Sequence, residues 1–547
     1  MIRLTNIKLD LNHSDDALKQ AILSKLQLNA EQLIDYKVFK RGYDARQKNA
    51  IKLIYTLDVT LQKPINNGID EADLLKKFTN DPQIKQSPDT SYHFVAQAPN
   101  NLTERPVVIG MGPCGLFAGL LLAQMGFKPI ILERGKEVRE RTKDTFGFWR
   151  KKILNTESNV QFGEGGAGTF SDGKLYSQVK DPKHYGRKVL TEFVSAGASE
   201  EIMYVSKPHI GTFKLVTMVE KMRNNIIALG GEIRFSQRVD DIKIEDGKVQ
   251  GLTLATGEFI KTHHIALAIG HSARDTFKML CDKGVFIKPK PFSVGFRIEH
   301  EQSVIDEARF GNNAGHPILG AADYKLVHHC KNGRSVYSFC MCPGGTVVAA
   351  ASEEGRLVTN GMSQYSRHER NANSAIVVGI SPEDFPKIEG KENVLAGIEL
   401  QRQLEEQAFV LGGGSYDAPV QLVGDFLAGR ATGEHGDVIP SYKPGVTYCD
   451  LSSSLPSYAI EAIREAIPAF NRKIKGFSNT EATLTAVETR TSSPIQITRD
   501  NDTFESINTQ GLYPAGEGAG YAGGILSAGI DGIKIAEAMA KSMTNLK

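Results

Sequence analysis

Three glycines near residue 110 have the spacing that brings a diphosphate close to a helix N-terminus. Gly110, Gly112 and Gly115 form the pattern GxGxxG between an apolar run and a helix-like run. In such a unit the first glycine permits a tight turn, the second lets the diphosphate approach the backbone, and the third lets helix and strand pack closely. A second apolar run then ends at Glu133, whose carboxylate could accept ribose hydroxyls. The spacing predicts a nucleotide-binding βαβ unit.

Cys340 and Cys342 stand two residues apart in a predicted strand, which would place both thiols on one face. Three interpretations compete: small residues that pack a strand, thiols that line a cofactor pocket, and a redox pair. A direct bond at this spacing would be strained, and the pair lacks the CxxC setting that lowers a thiol pKa. Packing is favoured because free cysteine is often simply buried. The Pro-Gly-Gly that follows keeps the pocket interpretation open.

Two arginines are candidates for substrate binding. Arg297 and Arg490 lie in apolar or tightly turned contexts, where a guanidinium needs a partner. A carboxylate-bearing substrate could supply that partner. An internal ion pair with Glu299 or Glu488 is the preferred alternative.

His209 and His271 are acid/base candidates, because imidazole titrates near neutral pH. A lone histidine is more often structural. No metal-ligand spacing and no Ser-His-Asp arrangement stands out, so no metal site is expected.

The composition is that of a globular chain with several domains. With 547 residues, 41% of them hydrophobic, the chain can bury substantial cores. The 65 Lys and Arg residues against 63 Asp and Glu give a net charge of +2, so no global field draws it to nucleic acid or anionic membrane. Six cysteines in so long a chain do not indicate a disulfide framework, and reduced thiols are expected.

No secretory signal is recognisable, since the first residues are polar and mixed. The uncharged stretch 106–127 is long enough to cross a bilayer, but fingerprint glycines interrupt it. We therefore expect a cytoplasmic protein with no membrane partner.

The pattern of elements predicts three domains in an α/β chain. Residues 1–95 predict a small α/β module of the ferredoxin-like type. Residues 101–285 and 484–547 predict a Rossmann-type domain, with a parallel sheet and a three-stranded meander. Residues 286–483 mix strands and helices and are long enough to form an inserted α+β cap domain.

A basic hairpin in the N-terminal module could contact RNA. Its basic residues are Lys37, Lys40, Arg41, Arg46, Lys48 and Lys52. A solvated strand face is the commoner explanation, and no interleaved aromatic residues offer stacking surfaces. Nucleic acid is therefore not the expected partner.

Longer motifs carry a resemblance to a known family. They are the glycine-rich stretch 159–174, the Cys-Met-Cys-Pro-Gly-Gly run at 340–345, and the Pro-Ala-Gly-Glu-containing segment 513–532. With GxGxxG before them, they resemble bacterial FAD-dependent, or NAD(FAD)-utilising, dehydrogenases within the glutathione-reductase-type fold. The resemblance runs along the whole chain. It implies non-covalent FAD in the Rossmann-type domain, with the inserted domain over the isoalloxazine.

The resemblance also implies which residues meet FAD. Gly516 and Glu517 would face the ribityl and phosphate groups, although the broader fold often has Asp where this chain has Glu. Gly524 and Ile525 would open a helix whose dipole stabilises the reduced ring. The backbone of Val239 would meet the adenine edge. The predicted cofactor-binding residues are Gly110, Gly112, Pro113, Gly115, Glu133, Arg134, Gly165, Gly166, Ser171, Lys174, Val239, Gly270, Gly516, Glu517, Gly524 and Ile525.

The chain lacks a second fingerprint for a nicotinamide cofactor. Gly412, Gly413 and Gly414 follow a helix and do not have the spacing. NAD(P)H is therefore expected only as a transient reductant.

Together these observations predict an FAD-dependent oxidoreductase that transfers hydride between a small organic substrate and flavin N5. Its candidate catalytic residues are Cys340, Cys342, Arg297, Arg490 and His209. A flavin-dependent RNA-modifying protein and a non-catalytic flavin-binding protein are the alternatives. Substrate, acceptor and oligomeric state stay open.

Overall fold

The computed structural model describes residues 1–62, 70–388 and 393–545. The chain is an α/β fold with a parallel five-stranded sheet and a separate seven-stranded mixed sheet.

The first part of the chain forms a small antiparallel sheet with two helices. Its elements are β1 (Ile2–Asp10), α1 (Ala17–Leu26), β2 (Leu33–Asp44), β3 (Lys52–Leu61), α2 (Glu71–Lys77) and β4 (Ile84–Gln86). The strand order is β2-β3-β1-β4, which is the ferredoxin-like arrangement. Burial alternates along β3, so one face of this sheet packs inward. Leu18, Ile22 and Leu26 place the apolar face of α1 against the same core.

The second part supplies most of the parallel sheet. Its strands are β5 (Val107–Ile109), β6 (Ile130–Leu132), β7 (Glu232–Arg234), β8 (Val239–Glu245), β9 (Lys248–Leu254), β10 (Phe259–Lys261), β11 (Ile265–Leu267) and β12 (Ile287–Pro289). Its helices are α3 (Pro113–Gln124), α4 (Val138–Lys151), α5 (Tyr185–Ser195), α6 (Thr212–Ala228) and α7 (Arg274–Asp282).

The third part forms the mixed sheet and a separate two-stranded antiparallel sheet, which consists of the strands Gly345–Ala349 and Thr359–Ser363. Its strands are β13 (Phe292–Glu301), β14 (Val327–His329), β15 (Ser335–Cys342), β16 (Gly345–Ala349), β17 (Thr359–Ser363), β18 (Asn371–Ile380), β19 (Ala418–Leu422), β20 (Val446–Tyr448) and β21 (Thr483–Glu488). Its helices are α8 (Gln302–Phe310), α9 (Ala396–Leu411), α10 (Val423–Ala428) and α11 (Ser457–Asn471). The chain ends with β22 (Ile495–Ile497), β23 (Leu512–Pro514) and α12 (Ile525–Thr544).

The parallel sheet has the order β23-β11-β5-β6-β7, and every neighbouring pair is parallel. All three residues of each of β5, β6, β11 and β23 are buried, as expected for strands covered on both faces. Strands β8, β9 and β10 form a separate antiparallel meander. The edge strand β23 comes from near the other end of the chain, more than 200 residues after the rest of the sheet.

The mixed sheet has the order β14-β15-β18-β13-β21-β19-β20. At its centre β13 and β18 pair over ten residues. The predicted boundary between residues 483 and 484 falls at the start of β21, which pairs with β13 and β19 in this sheet. The chain therefore leaves the mixed sheet after Glu488. The division into three domains stays a prediction.

Helices α3 and α12 cross with almost no side chain between them. A Cβ added at Gly532 would lie 2.2 Å from the Cys114 carbonyl oxygen. On the other side of α3, a Cβ at Gly119 would lie 2.3 Å from Cδ1 of Ile131 in β6. These contacts fix the N-terminus of α3 above the strand ends. Within the described residues, no helix is long and apolar enough to cross a membrane.

Gly532→Ala should destabilise the chain by about 1–3 kcal/mol, because overpacking forces two helices apart. The matched control is Gly147→Ala in α4, where an added Cβ meets nothing within 4 Å. That substitution should be neutral or stabilising, since alanine is the better helix former. Thermal midpoints of both variants against the parent check this, and equal midpoints for the two variants would contradict it.

Candidate functional site

One large cavity lies at the carboxyl ends of the parallel strands. Its volume is about 1150 Å³, and Gly110, Glu133, Gly270 and Gly516 line it just after β5, β6, β11 and β23. Open α/β sheets bind ligands at this edge. The cavity exceeds the volume usual for drug-sized ligands, about 300–1,000 Å³, so it has room for a dinucleotide.

The three glycines of the GxGxxG pattern differ in what an added side chain would contact. Gly110 has a φ of 94°, and a Cβ there would lie 2.4 Å from the Ala268 carbonyl oxygen. A Cβ on Gly115 would lie 1.9 Å from the Gly110 carbonyl oxygen, so this glycine lets helix and strand touch. A Cβ on Gly112 would meet only Cα of Gly166, at 3.7 Å. The fold therefore requires Gly110 and Gly115, whereas Gly112 leaves space that faces the cavity.

The N-terminus of α3 opens into that space. Gly112 is the N-cap residue, Pro113 occupies the first helical turn, and no side chain caps the helix. Backbone N–H groups at such an end bind phosphate, and the helix dipole favours an anion there. The bare helix end and the room beside Gly112 fit a diphosphate.

Glu133 is buried at the end of β6 and holds three loops together. Its Oε2 accepts the N–H of Met111 at 2.8 Å. Its Oε1 accepts the N–H groups of Gly135 at 2.8 Å and Gly163 at 3.0 Å. A carboxylate offers about four acceptor positions. One is left for a ribose hydroxyl, so the predicted ribose contact stays a prediction alongside this structural role.

The glycine-rich loop is supported by an arginine that the sequence did not single out. Arg141 of α4 is fully buried and donates to the carbonyl oxygens of Asn159, Val160 and Glu164 at 2.7–2.8 Å. Burial lowers the pKa of its guanidinium to about 10. This role could not be predicted, because Arg141 stands in a charged helical run and its acceptors are backbone atoms.

Most of the predicted cofactor-binding residues line this cavity. They are Gly110, Gly112, Pro113, Glu133, Arg134, Gly166, Ser171, Lys174, Val239, Gly270, Gly516, Glu517, Gly524 and Ile525. The other two predicted residues, Gly115 and Gly165, do not line the cavity. Gly165 has a φ of 84° and donates its N–H to the Met111 carbonyl oxygen at 2.8 Å. Their roles toward a cofactor stay predictions.

Cys340 lines the cavity, and Cys342 is fully buried behind it. A bulge interrupts β15 between Phe339 and Cys342, and Cys340 has a φ of 44°, which is rare for a side-chain-bearing residue. The two cysteines therefore do not share the regular strand face that their spacing suggested. The Cys342 thiol donates to the Cys340 carbonyl oxygen at 3.3 Å.

A partly buried lysine and a fully buried arginine accompany this pair. Lys174 donates to the Met341 carbonyl oxygen, and Nη2 of Arg297 donates to the carbonyl oxygen of Cys340 at 3.1 Å. The adjacent Cys342 thiol, then the charges of Lys174 and Arg297, lower the pKa of the Cys340 thiol. The same pairing and burial raise the pKa of Cys342. One thiolate in this pair would offset part of the positive charge of Lys174 and Arg297.

Arg297 and Arg490 differ in their access to the cavity. Arg297 is fully buried outside the lining, and its Nη1 lies 3.6 Å from Glu488, as the preferred ion-pair alternative predicted. Arg490 lines the cavity but pairs with Glu405 at 2.9 Å, so Glu299 and Glu488 were the wrong partners for it. The Nη1 of Arg490 also donates to Ser272 and Ser352.

Arg274 shares Glu405 with Arg490, at 2.7 Å. The carboxylate thus lies between two guanidinium groups, and they hold its pKa well below the usual range despite burial. Glu353 also pairs with Arg274, so two carboxylates balance the two guanidinium charges. Arg490 therefore has little capacity left for a substrate carboxylate.

The two histidines occupy different places. His209 is outside the cavity lining, stacks on Tyr365 with ring centroids 5.4 Å apart, and bonds the Tyr365 carbonyl oxygen. His271 lines the cavity, where burial and then the charge of Arg490 lower its pKa to about 3. A histidine with so low a pKa is neutral at physiological pH.

Two carboxyl groups in the cavity wall titrate near neutrality. Burial raises the pKa of both Glu517 and Glu488 to about 7, against the opposing charges of Lys290 and Arg297 respectively. A carboxyl with such a pKa can hold or release a proton at neutral pH. The sequence offered Glu488 only as an ion-pair partner.

The basic hairpin packs against the wall of the cavity. Arg41 donates its N–H to the Tyr204 carbonyl oxygen at 2.6 Å, and Ser206 donates to the Arg41 carbonyl oxygen at 2.8 Å. Ser206 itself lines the cavity. The backbone N–H and C=O of Arg41 in the hairpin are therefore already hydrogen-bonded to another segment of the chain. Whether the hairpin contacts nucleic acid stays a prediction.

Comparison with known proteins gives a family for much of the mixed sheet. Residues 291–491 match the family described as "FAD-dependent protein, C-terminal domain-like". Residues 1–60 match a domain of unknown function. A Clostridium beijerinckii protein described as "Uncharacterized protein" is 48% identical over 537 residues, which cover 98% of each chain.

Solved structures give a distant likeness in fold. A flavoprotein/dehydrogenase from Cytophaga hutchinsonii matches with a TM-score of 0.36 and 12% identity, over 81% of this chain and 79% of that one. Glycine oxidase from Bacillus cereus matches with a TM-score of 0.35 and 11% identity, over 81% and 96%.

Cys340 should react with iodoacetamide near neutral pH faster than Cys449, because the thiolate is the reacting form. The pKa of Cys340 is lowered, whereas burial raises that of Cys449, although both are partly exposed. Lys174→Met should slow labelling of Cys340 and leave Cys449 unchanged. Peptide mass spectrometry after timed labelling measures both rates, and equal rates for the two thiols across pH would show the assignment to be wrong.

Proposed function

Because this chain belongs to the family that includes the Clostridium beijerinckii protein, and contains an FAD-dependent protein C-terminal-like domain, we propose that it is an FAD-dependent oxidoreductase. Its substrate would be a small or medium-sized organic molecule. One observation carries the proposal: a cavity of dinucleotide size opens at the carboxyl ends of four parallel strands, beside an uncapped helix end. That is where this type of sheet binds dinucleotides.

The residues of the cavity fit FAD piece by piece. The N–H groups at the start of α3 would hold the diphosphate, with Gly112 providing the space. Glu133 would use its remaining acceptor position for the adenosine ribose, next to the backbone of Val239 for adenine. Gly516 and Gly524 line the same cavity and would adjoin the flavin end.

The inserted part of the chain would bind the substrate. Ser338, Phe339 and Cys340 of β15 line the cavity, as does Asn360 of β17. Ser338, Phe339 and Cys340 belong to the mixed sheet, and Asn360 belongs to the separate two-stranded sheet of β16 and β17. The cavity thus joins a nucleotide-binding edge to a second surface. The position suits a substrate held against a cofactor that the parallel sheet binds.

When bound, FAD supplies hydride acceptance and donation at N5. The chain supplies orientation and proton handling. Glu517 and Glu488, each with a pKa of about 7, can exchange a proton at neutral pH. His271, with a pKa of about 3, would serve as a neutral hydrogen-bonding group rather than as a cation.

Gly112→Ala should leave the fold intact and weaken FAD binding by about tenfold or more, which is about 1.4 kcal/mol. The added methyl group meets only Gly166 within the protein but takes the room proposed for the diphosphate. Gly433→Ala is the control, since Gly433 is exposed, lies outside the cavity, and has open space around it. Fluorescence titration of the flavin-free apoproteins with FAD measures both affinities. An unchanged affinity in Gly112→Ala would remove the diphosphate from this position.

The proposed activity predicts that the visible flavin band bleaches with a specific reductant under anaerobic conditions. A panel of carboxylic acids, amino acids, alcohols and both nicotinamides is mixed with the FAD-loaded protein, and absorbance is followed. A substrate should bleach the band at a saturable rate, and NAD(P)H, if used, should act without a stable complex. A protein that keeps its flavin oxidised with every compound would fit the non-catalytic alternative.

A further inference from the structure

Three side chains of different ligand chemistry meet at one edge of the mixed sheet. His328 lies on β14, Cys330 directly follows that strand, and Glu465 lies on α11. One ligand atom from each, an imidazole nitrogen, a sulfur and a carboxylate oxygen, lies within 4.8 Å of the other two. None of these three residues lines the large cavity.

The chain holds this arrangement in place by backbone contacts. His328 and Cys330 are two residues apart, so an extended segment turns both toward α11. The N–H of Lys331 donates to both carboxylate oxygens of Glu465, at 3.2 and 3.3 Å. Asn332 donates to the Tyr458 carbonyl oxygen at 3.0 Å. The turn is thus tied to the same helix that presents the carboxylate.

We propose that His328, Cys330 and Glu465 form a binding site for a divalent transition-metal ion of the zinc type. Zinc bonds to these three donor types at about 2.0–2.3 Å, which places neighbouring ligands of a tetrahedron about 3.5 Å apart. Nε2 of His328 lies 2.9 Å from Oε1 of Glu465, and no pair exceeds 4.8 Å. Binding would require side-chain rotations that shorten the longest of these separations.

The donor set selects the class of ion. Imidazole and thiolate suit zinc and its neighbours, whereas magnesium and calcium take oxygen ligands. The Cys330 thiol is buried and donates to the Ala462 carbonyl oxygen at 3.5 Å, which is a weak hydrogen bond. A metal ion would replace that contact. Three protein ligands leave the fourth position to water.

A plain ion pair between His328 and Glu465, with Cys330 packed beside it, is the competing explanation. It predicts no stoichiometric metal binding. Sequence spacing gave no sign of the cluster, because His328 and Glu465 are 137 positions apart.

The test is a titration of the full chain after treatment with a chelator. Zn²⁺ is added against a chromophoric competitor, and Co²⁺ is added separately to look for a thiolate-to-metal charge-transfer band. We expect one equivalent of either ion, the charge-transfer band, and no competition from Mg²⁺. In Cys330→Ser and Glu465→Gln the affinity should fall roughly tenfold or more, since even outer-shell partners of a metal contribute that much. Zn²⁺ should raise the thermal midpoint of the parent and not of Cys330→Ser.

His329→Gln is the matched control, because this neighbouring histidine bonds Ser335 instead. It should bind Zn²⁺ as the parent does. Equal loss in His329→Gln and Cys330→Ser, or a parent without the charge-transfer band, would overturn the proposal. If Cys330→Ser does not fold, the Co²⁺ spectrum of the parent and of Glu465→Gln decides. The result is independent of flavin binding, because the cluster lies outside the cavity.

Discussion

The backbone of Gly110 directly contacts the backbone of two neighbouring elements, and this contact determines where the rest of the site can lie. Strand β5 turns against Ala268 at the end of β11, and α3 packs directly on the turn through Gly115. With no side chain between them, the helix end must sit over the strand ends. The glycine-rich loop then reaches the turn through Gly166, whose Cβ would lie 2.8 Å from Cα of Gly112. Arg141 holds that loop through bonds to its carbonyl oxygens. The cavity is the space between the loop, the helix end and the strand ends.

Local patterns in the sequence identified this part of the molecule because its geometry is local. GxGxxG, the apolar runs of β5, β6 and β11, and the acidic residue after β6 lie within short windows, and glycine has few reasons to recur at that spacing. The meander was predictable for the same reason. The far strand β23 was found through its own motif and not through its pairing.

The contacts that set charge in the site could not be predicted, because they join distant segments. Arg490 takes Glu405 from α9 rather than a nearby carboxylate. Cys340 leaves the regular strand face through a bulge, and alternation along a strand does not reveal bulges. Arg141 uses backbone acceptors, which leave no trace in side-chain types. Sequence spacing therefore predicted the glycine-lined edge of the cavity better than the side-chain contacts that set its charge.

The N-terminal module is stitched to the rest of the chain on more than one side. Besides the bonds between Arg41 and the 204–206 segment, Asn313 donates to the Lys48 carbonyl oxygen, and Tyr92 in the connecting stretch donates to Glu537. A protease that nicked the connection would thus yield two fragments that co-elute under native conditions. The module packs against one wall of the cavity through the bond between Arg41 and Ser206. Loss of the module would therefore change the shape of that wall and weaken the binding of any ligand that contacts it.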